Sequence, residues 1–345
     1  MIVRRLKISP HHSIAQTFFK DMLEFQHKEQ VSLYLVGGFV RDLILGEQIA
    51  ESDCDFIVER DVFKVADSAA NRFGGVVTRH PAFLTAKLTG LSGYQGISEI
   101  DFAQARTEQY RSSGALPEVT AGSLVQDIHR RDFTINALLL KLDNYETVVT
   151  QSQVGAVTDE HFIDQVNGFA DIQARVIRIL HQKSFIDDPT RIFRGVRYQV
   201  RLRGSFAPAT LELLRSASQL KVLSNISPHR KWREIEKIVA EPGFIDSLAT
   251  LNTLGLLSQV EGFEQLDISE LIVVLERAKQ PLLASSAINR LSSLLLIIER
   301  MGSEGIFEWP TLSKKHRKAL KKISQGQSAG LSDLEQLWQQ IISQF

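Results

Sequence analysis

Hydrophobic and polar residues follow two different spacings along this chain, and the spacing changes near residue 160. Before that point, short apolar runs bounded by glycine or polar residues are typical of strands, and they lie in SLYLVGG, CDFIVE, GGVVTRH, FLTAKLTG and ISEIDFAQAR. Residues 11–28 and the segment FKVADSAANRFG instead carry apolar positions at helical spacing. The first part of the chain therefore predicts a small sheet with helices packed on it.

The rest of the chain shows helical spacing almost throughout. Apart from one short apolar run, VIRIL, seven segments repeat apolar residues every three or four positions. They are PTRIFRGVRYQVRLR, PATLELLRSASQL, SPHRKWREIEKIVA, IDSLATLNTLGLLSQV, ISELIVVLERAKQ, SAINRLSSLLLIIERM and DLEQLWQQIISQF. A unit with a mixed sheet followed by an all-helical half predicts the α+β class.

The composition is that of an ordinary folded protein. The 345 residues are 43% hydrophobic and 23% charged, and 40 basic residues balance 40 acidic ones, which excludes a disordered tail or a collagen-like chain. The single cysteine, Cys54, excludes an intramolecular disulfide and a cysteine-based zinc cluster. No apolar run approaches the roughly 20 residues of a membrane helix, and the N-terminus lacks signal-peptide features. We therefore expect a soluble, cytoplasmic protein.

Basic residues are concentrated in two places despite the zero net charge. Between residues 175 and 203, eight basic side chains accompany only Asp187 and Asp188. Such a patch can bind phosphates electrostatically. A second cluster, SKKHRKALKK at residues 313–322, favours the simpler interpretation of a solvated helix face.

Two neighbouring features in the first half could bind a nucleotide and a metal ion. Gly37 and Gly38 follow a predicted strand and begin a helix, a turn at which the backbone can approach a phosphate, although a lone Gly-Gly pair is more often structural. Asp53 and Asp55 lie two residues apart on the next strand, so both carboxylates point to one side and can bind Mg²⁺ together with substrate phosphates. Cys54 points to the other side and is expected in the core.

Further polar residues could complete such a site. Glu99 or Asp101, on the strand ISEIDFAQAR, could supply a third acid, and the sequence leaves open which one. The segment RRDFTINA adds Arg131, Asp132 and Asn136. Arginine can bind a triphosphate with two parallel hydrogen bonds, and aspartate and asparagine can hydrogen-bond ribose hydroxyls.

The segment FIDDPTRIFRGVRY combines two acids with a row of arginines. Capping of the following helix is the simplest interpretation of Asp187 and Asp188, since a proline fits the first helical turn. Arg191, Arg194 and Arg197 then recur every third residue, which keeps their guanidinium groups on adjoining parts of one helix surface. Capping does not explain that row.

Six motifs in order resemble the class II tRNA nucleotidyltransferases, the CCA-adding enzymes, and their poly(A) polymerase relatives. They are LVGGFVRDLILG, DCD, RRDFTINA, NGFADIQARVIRIL, DDPTRIFRGVRY and ISPHRKWREIEKI, and they run from about Leu33 to Ile238. The resemblance implies a polymerase-beta-like nucleotidyltransferase head at residues 1–160 and a helical neck at residues 161–240. It also implies a helical body and short tail at residues 241–345 that bind the tRNA acceptor arm.

The same resemblance assigns roles to individual residues. Asp53 and Asp55 are expected to be catalytic and to bind Mg²⁺, and Asp188 and Arg191 resemble the neck pair that reads the base of CTP or ATP. The residues expected to bind the nucleotide are Gly37, Gly38, Arg41, Arg131, Asp132, Asn136, Asp188, Arg191, Arg194 and Arg197. The chain departs from the family at Asp187, where a glutamate is usual, and at His229, where a glutamate commonly precedes the arginine.

The implied activity is transfer of nucleotides from CTP and ATP to the 3′ end of tRNA, with release of pyrophosphate. Full CCA addition is the first interpretation, because the neck pair Asp188 and Arg191 is present and residues 105–127 lie where the family has a flexible loop. A split enzyme that adds only CC or only A, or a poly(A) polymerase, is the alternative. A non-catalytic RNA-binding protein is disfavoured because the carboxylates and the Gly-Gly pair are intact. No protein partner is evident.

Overall fold

The computed structural model describes residues 12–45, 53–91, 93–94, 97, 99–148, 158–303, 306 and 312–343, without the side chains of residues 12–16 and 53. Contacts between Cα atoms divide the chain into two compact units. Unit 1 comprises Met1–Arg111 and Leu116–His181, and unit 2 comprises Ser112–Ala115 and Gln182–Phe345. The finer division into head, neck and body at residues 160 and 240 stays a prediction.

Unit 1 contains a mixed seven-stranded sheet and a separate two-stranded hairpin. The strands are β1 (Leu33–Val36), β2 (Asp53–Val58), β3 (Val76–His80), β4 (Thr85–Thr89), β5 (Glu99–Gln104), β6 (Arg106–Gln109), β7 (Glu118–Ala121), β8 (Leu139–Lys141), β9 (Phe162–Ile163) and β10 (Val176–Ile177). The sheet order is β3-β4-β5-β2-β1-β8-β9, β6 and β7 form the hairpin, and β10 belongs to neither. Only the β2–β5 pair is parallel among the described pairs of this sheet. The five strands predicted from the sequence are confirmed.

Five described helices accompany these strands. They are α1 (His12–Glu29), α2 (Gly38–Leu45), α3 (Val62–Phe73), α4 (Leu124–His129) and α5 (Gly168–Ala174). Helix α3 begins where the side chain of Asp61 accepts hydrogen bonds from the backbone N–H groups of Phe63 and Lys64, which caps the helix. The three helices predicted in this part of the chain, α1, α2 and α3, are confirmed.

Side chains along β2 alternate between the core and the surface. Cys54 and Phe56 are buried, and the Phe56 ring stacks on that of Phe102 from β5 with centroids 5.9 Å apart. Asp55 lies between them in sequence and is exposed on the opposite face. The alternation confirms Cys54 as a core residue and separates the apolar packing from the polar face that carries Asp55.

Unit 2 is helical apart from the two-residue strand β11 (Ser205–Phe206). Its helices are α6 (Ser184–Asp187), α7 (Thr190–Arg201), α8 (Pro208–Gln219), α9 (Pro228–Val239), α10 (Phe244–Thr253), α11 (Ile268–Arg277), α12 (Lys279–Ala284), α13 (Ala287–Arg300), α14 (Lys314–Ser324) and α15 (Ser332–Ile342). Each of the seven predicted helical segments contains a helix. Helix α9 carries Trp232 into the core, where its ring stacks on Phe263 with centroids 5.6 Å apart.

Helix α14 contains the second basic cluster of the sequence. Its apolar side is buried through Ala319, Leu320 and Ile323, and its lysines are exposed. The helix therefore has the solvated basic face that the sequence favoured. No helix in the described part of the chain is long and apolar enough to cross a membrane.

Candidate functional site

The turn between β1 and α2 lies directly against the acidic strand β2. Gly37 has a φ of +75°, in the left-handed region that favours glycine, and a Cβ atom placed on it would lie 3.4 Å from Asp55 Oδ2. Helix α2 begins at the next residue, so its first backbone N–H groups lie at this turn. Because such N–H groups favour anions, the arrangement places a potential phosphate site beside a carboxylate.

Acidic residues from β2 and β5 share one face of the sheet. The parallel register pairs Asp55 with Asp101 and Asp53 with Glu99, and alternation along each strand keeps these positions on one side. Among the described side chains, no group of three or more His, Cys, Asp or Glu is arranged to hold a metal ion. Mg²⁺ prefers one or two carboxylates with substrate phosphates and water, so Asp55 beside the Gly37 turn fits a magnesium ion shared with a nucleotide. A contribution from the Asp53 carboxylate stays a prediction.

Lys87 of β4 is tied to the two acids that the sequence left open as a third ligand. Its Nζ lies 2.5 Å from Glu99 Oε1 and 3.0 Å from Asp101 Oδ2. Burial lowers the pKa of Lys87, but the hydrogen bonds and charges of Glu99 and Asp101 outweigh it and raise that pKa overall. Glu99 and Asp101 therefore already have a cationic partner.

A buried chain of hydrogen bonds connects three of the predicted nucleotide ligands. Arg41 is only 2% exposed and donates from Nη1 to Asn136 Oδ1 at 2.8 Å. Asn136 Nδ2 donates in turn to Asp132 Oδ1 at 3.2 Å, and Arg41 also donates from Nε to Asp42 Oδ1 at 2.8 Å. The structure brings these residues together as a support inside unit 1, and their direct contact with a nucleotide stays a prediction.

Asn136 connects Arg41 to Asp132 in this hydrogen-bond network, so its replacement should lower the stability of the fold. We expect Asn136→Ala to lower the free energy of unfolding by about 1–3 kcal/mol, because it removes the partner of a buried guanidinium and of a buried carboxylate. Urea unfolding followed by circular dichroism measures the change. Asn71→Ala, at an exposed position of α3, is the matched control and should shift stability by no more than about 0.5 kcal/mol. Equal stability of Asn136→Ala and wild type would contradict the network.

Asp127 is a residue of the candidate site that the sequence motifs did not indicate. Its carboxylate is fully buried and is bound by two guanidinium groups. Arg130 donates from Nε and Nη2 to Oδ1 at 2.8 and 2.7 Å, and Arg131 donates from Nε and Nη2 to Oδ2 at 3.1 and 2.8 Å. Burial raises the pKa of Asp127, but the charges and hydrogen bonds of Arg131 and Arg130 outweigh it and lower that pKa overall. Asp127 therefore orients Arg131, a predicted triphosphate ligand.

A local signal in the sequence could have located Asp127. The pattern Ser123-Leu-Val-Gln126 is a capping box, and in the structure Ser123 and Gln126 bond each other's backbone N–H groups at the start of α4. Asp127 follows in the first turn of that short helix, three and four residues before Arg130 and Arg131. The capping box and this spacing together predict the contact.

In unit 2, Asp188 caps helix α7 with one of its two carboxylate oxygens. Oδ1 accepts hydrogen bonds from the backbone N–H of Thr190 at 3.1 Å and from Thr190 Oγ1 at 2.7 Å. Arg230 Nη2 also lies 3.4 Å from Oδ1. Within the part of the chain that the structure describes, no hydrogen bond to Oδ2 is present, so the capping interpretation holds for Oδ1 while the second oxygen can accept from a ligand.

The arginines of α7 have different environments. Arg191 is 5% exposed and donates from Nη1 to Ser184 Oγ at 2.7 Å. The guanidinium carbons of Arg194 and Arg197 lie 5.5 and 5.6 Å from the ring centroid of Tyr198, within the range of cation–π contact. Arg191 is therefore buried, whereas Arg194 and Arg197 are half-buried and both contact the ring of Tyr198.

Residues 112–115 pack beside Asp188 in unit 2. Ser113 Oγ donates to the carbonyl of Ile186 at 2.6 Å, and the N–H of Gly114 donates to the carbonyl of Asp187 at 3.2 Å. Arg230 donates to the carbonyl of Gly114. This short segment therefore holds the turn that precedes Asp188.

Comparisons with known proteins agree with these features. A family model described as the poly(A) polymerase head domain matches residues 33–178. Over 238 residues, 69% of this chain and 25% of the relative, the chain is 36% identical to an A-adding tRNA nucleotidyltransferase of Geobacter sulfurreducens. Over 241 residues, 69% of this chain and 59% of the relative, it is 33% identical to a CC-adding tRNA nucleotidyltransferase of Deinococcus radiodurans.

A solved structure of a CCA-adding enzyme, in its apo form II, is similar over almost the whole chain. The TM-score is 0.71 at 25% identity, and the match covers 98% of this chain and 84% of that one. The chain spans a quarter to about three fifths of the length of the two curated relatives. Residues 33–178 are identified as a poly(A) polymerase head domain, and over about two thirds of its length the chain is similar to tRNA nucleotidyltransferases.

Proposed function

We propose that this protein transfers nucleotides from CTP and ATP to the 3′ end of tRNA and completes the CCA sequence, releasing pyrophosphate. The observation that carries the proposal is the approach of Gly37 to Asp55, with 3.4 Å between a Cβ position and Oδ2. It puts a potential phosphate-binding helix start beside the acidic strand, which is what attack on a nucleoside triphosphate needs. The names of similar proteins support tRNA as the acceptor.

In this proposal, unit 1 binds the triphosphate and the metal ion. Asp53 and Asp55 would hold Mg²⁺, which when bound lowers the pKa of the attacking 3′-hydroxyl and neutralises charge on the pyrophosphate. The backbone N–H groups at Gly37 and Gly38 would bind phosphate oxygens. Arg131, oriented by Asp127, would bind the triphosphate, and Asp132 the ribose. The contribution of these residues is positioning and charge stabilisation, with no covalent intermediate on the protein.

Base selection would fall to Asp188 and Arg191. Cytosine and adenine each present an amino donor next to a ring-nitrogen acceptor, whereas uracil and guanine present a carbonyl oxygen in place of that amino group. Asp188 Oδ2 can accept from the amino group, and a guanidinium can donate to the ring nitrogen. One acid and one arginine therefore select CTP and ATP against UTP and GTP.

Loss of Arg191 should relax this selection more than it slows the chemistry. We expect Arg191→Ala to reduce the discrimination of CTP and ATP against UTP and GTP by roughly 5- to 150-fold, the equivalent of about 1–3 kcal/mol for one buried hydrogen-bonded partner. Values of kcat/KM for all four nucleotides on a tRNA ending before CCA measure the effect. Arg215→Ala, at an exposed position of α8, is the matched control. Unchanged selectivity in a folded Arg191→Ala protein would refute the reading role.

A second candidate is a split enzyme that adds only the terminal A or only CC. It is supported by the names of the two curated relatives, one A-adding and one CC-adding. Both candidates use the same residues for nucleotide transfer, so they differ only in which tRNA end is accepted and where addition stops.

Primer extension distinguishes these candidates. Purified protein with Mg²⁺ is given CTP, ATP or both, with tRNA transcripts that end before CCA, after CC, or after CCA. Three residues added to the first transcript and none to the last support full CCA addition. Addition that stops at CC, or that starts only after CC, supports a split enzyme, and a long A ladder supports poly(A) synthesis. No extension of any transcript refutes the proposed activity.

A further inference from the structure

We propose that Lys87 is a positioning residue that neutralises Glu99 and Asp101. On the acidic face, which is the sheet face that carries Asp55, Glu99 and Asp101, it thereby restricts divalent-cation binding to Asp55. The inference rests on the proposed function, since it concerns how the same acidic face binds its metal ion. Nothing in the comparisons assigns a role to Lys87, and it lies outside the six family motifs, in the predicted strand FLTAKLTG.

The strand register places Lys87 in the same row as the acids. Lys87 of β4 is the antiparallel partner of Asp101, and Asp101 is the parallel partner of Asp55. Directly opposed residues on neighbouring strands point to the same face. The row across three strands therefore reads Lys87, Asp101, Asp55, and the Gly37 turn lies beyond Asp55.

The ammonium group occupies the place where a cation would bind Asp101. Lys87 Nζ lies 3.0 Å from Asp101 Oδ2 and 2.5 Å from Glu99 Oε1, and all three side chains are about one third exposed or less. A divalent ion cannot ligate the same oxygens while the ammonium stays there, because two cations would then share one binding position. Asp101 can become a metal ligand only if Lys87 moves away.

The position of Lys87 predicts how strongly the acidic face attracts divalent cations in the protein without nucleotide. Strands in a sheet are about 4.8 Å apart, so Lys87 lies roughly 10 Å from the Asp55 position two strands away. A positive charge at that distance opposes a divalent cation, and it also screens the two acids that would attract one. Lys87 therefore lowers the affinity of the face and limits the number of ions that it binds before the nucleotide arrives.

Binding of Mn²⁺ to the full chain, followed by electron paramagnetic resonance of the free ion in the absence of nucleotide and tRNA, tests the inference. We expect Lys87→Met to bind Mn²⁺ about tenfold more tightly than wild type or to bind one more ion. Lys87→Arg, which keeps the charge, should behave as wild type. Lys64→Met, which removes an exposed lysine of α3, is the matched control and should change nothing. Unchanged affinity and stoichiometry in Lys87→Met would overturn the inference.

Mn²⁺ binding by variants of Asp101 and Asp55 is a second test, and it does not require Lys87→Met to fold. We expect Asp101→Asn to weaken Mn²⁺ binding by no more than about tenfold, and Asp55→Ala to weaken it by at least about 100-fold. In the double variant Lys87→Met/Asp101→Asn, the tightening should be lost. Equal losses in Asp101→Asn and Asp55→Ala would make Asp101 a direct ligand and overturn the inference. If Asp55→Ala has no effect on Mn²⁺ binding, the metal assignment of the proposed function fails instead.

Discussion

Replacing Asp55 by alanine is expected to lower nucleotide transfer to a tRNA primer by at least about 1000-fold while the chain stays folded. The carboxylate is exposed on the polar face of β2 and lies beside the Gly37 turn, so its removal leaves no cavity in the core. It does remove the proposed metal ligand, and metal ions supply on the order of several kcal/mol of charge stabilisation to the transition state. Single-turnover transfer of labelled CTP or ATP measures the loss, and circular dichroism measures the fold.

The same result is expected for Asp53→Ala, because both acids are predicted ligands of one ion. Glu146→Ala, which removes an exposed acid from unit 1, controls for a general loss of negative charge. Asp55→Glu is a further control for geometry: it keeps the charge but moves it by one methylene group, so transfer should remain strongly impaired. Turnover near the wild-type rate in Asp53→Ala or Asp55→Ala would remove the metal assignment.

The strands and helices that could be predicted from the sequence are those in which buried side chains recur at a regular spacing. In β2, the buried Cys54 and Phe56 alternate with the exposed Asp55, and a spacing of two is visible without a structure. The long helices of unit 2 bury one side each, as α9 does with Trp232 and Ile235, so their spacing is equally visible. Hydrophobic periodicity was therefore sufficient to predict most of the strands and helices.

Three strands could not be predicted from side-chain spacing: β6 and β7 lack a buried face, and β8 is buried but short. Strands β6 and β7 are partly or fully exposed and are made mostly of polar residues, so no alternation marks them. Strand β8 is only three residues long, too short for any period to be recognised. Strand β8 is fixed by pairing with β1, about a hundred residues earlier in the sequence, and a local pattern does not contain that partner.

The candidate site divides in the same way. Strand alternation and helix-start chemistry predict that the acids of β2 lie near the Gly37 turn, and in the structure a Cβ atom placed on Gly37 would lie 3.4 Å from Asp55 Oδ2. The burial of Arg41 against Asn136, and the pairing of Lys87 with Asp101, depend on the order and register of strands. That order is a tertiary property, so the residues could be named from motifs while their partners could not.

Asp188 shows that a structural and a functional interpretation of one residue can hold together. The sequence offered helix capping as the simple explanation and base reading as the explanation implied by the family. In the structure, Oδ1 accepts the hydrogen bonds that cap α7, and Oδ2 accepts none from the residues that the structure describes, so the proposed contact with a base is open to it. Capping then orients the second oxygen, so the structural role supports the proposed one.

Replacing Asp127 by asparagine should lower the free energy of unfolding at pH 7 by about 3–5 kcal/mol. The buried carboxylate binds one guanidinium through each oxygen, and an asparagine can accept from only one of them while its amide N–H₂ faces the other. Both arginines then lose this counter-charge, and Arg130 keeps its ion pair with Glu108. Urea unfolding at pH 7 measures the loss, and Asp67→Asn, in an exposed pair with Arg79, is the matched control with an expected cost below about 1 kcal/mol.

The dependence on pH gives this prediction its sharper test. The pKa of Asp127 is lowered in the folded protein, so its carboxylate adds stability above the unfolded pKa of about 3.9, and that contribution is lost as pH falls through the lower folded pKa. The stability difference between wild type and Asp127→Asn should therefore be constant from about pH 7 to pH 5 and should narrow steadily below about pH 4. A difference that stays constant down to pH 2 would mean that the charge of Asp127 is not what stabilises the fold. It would then follow that shape alone, and not the paired charges, holds Arg131 in place for the triphosphate.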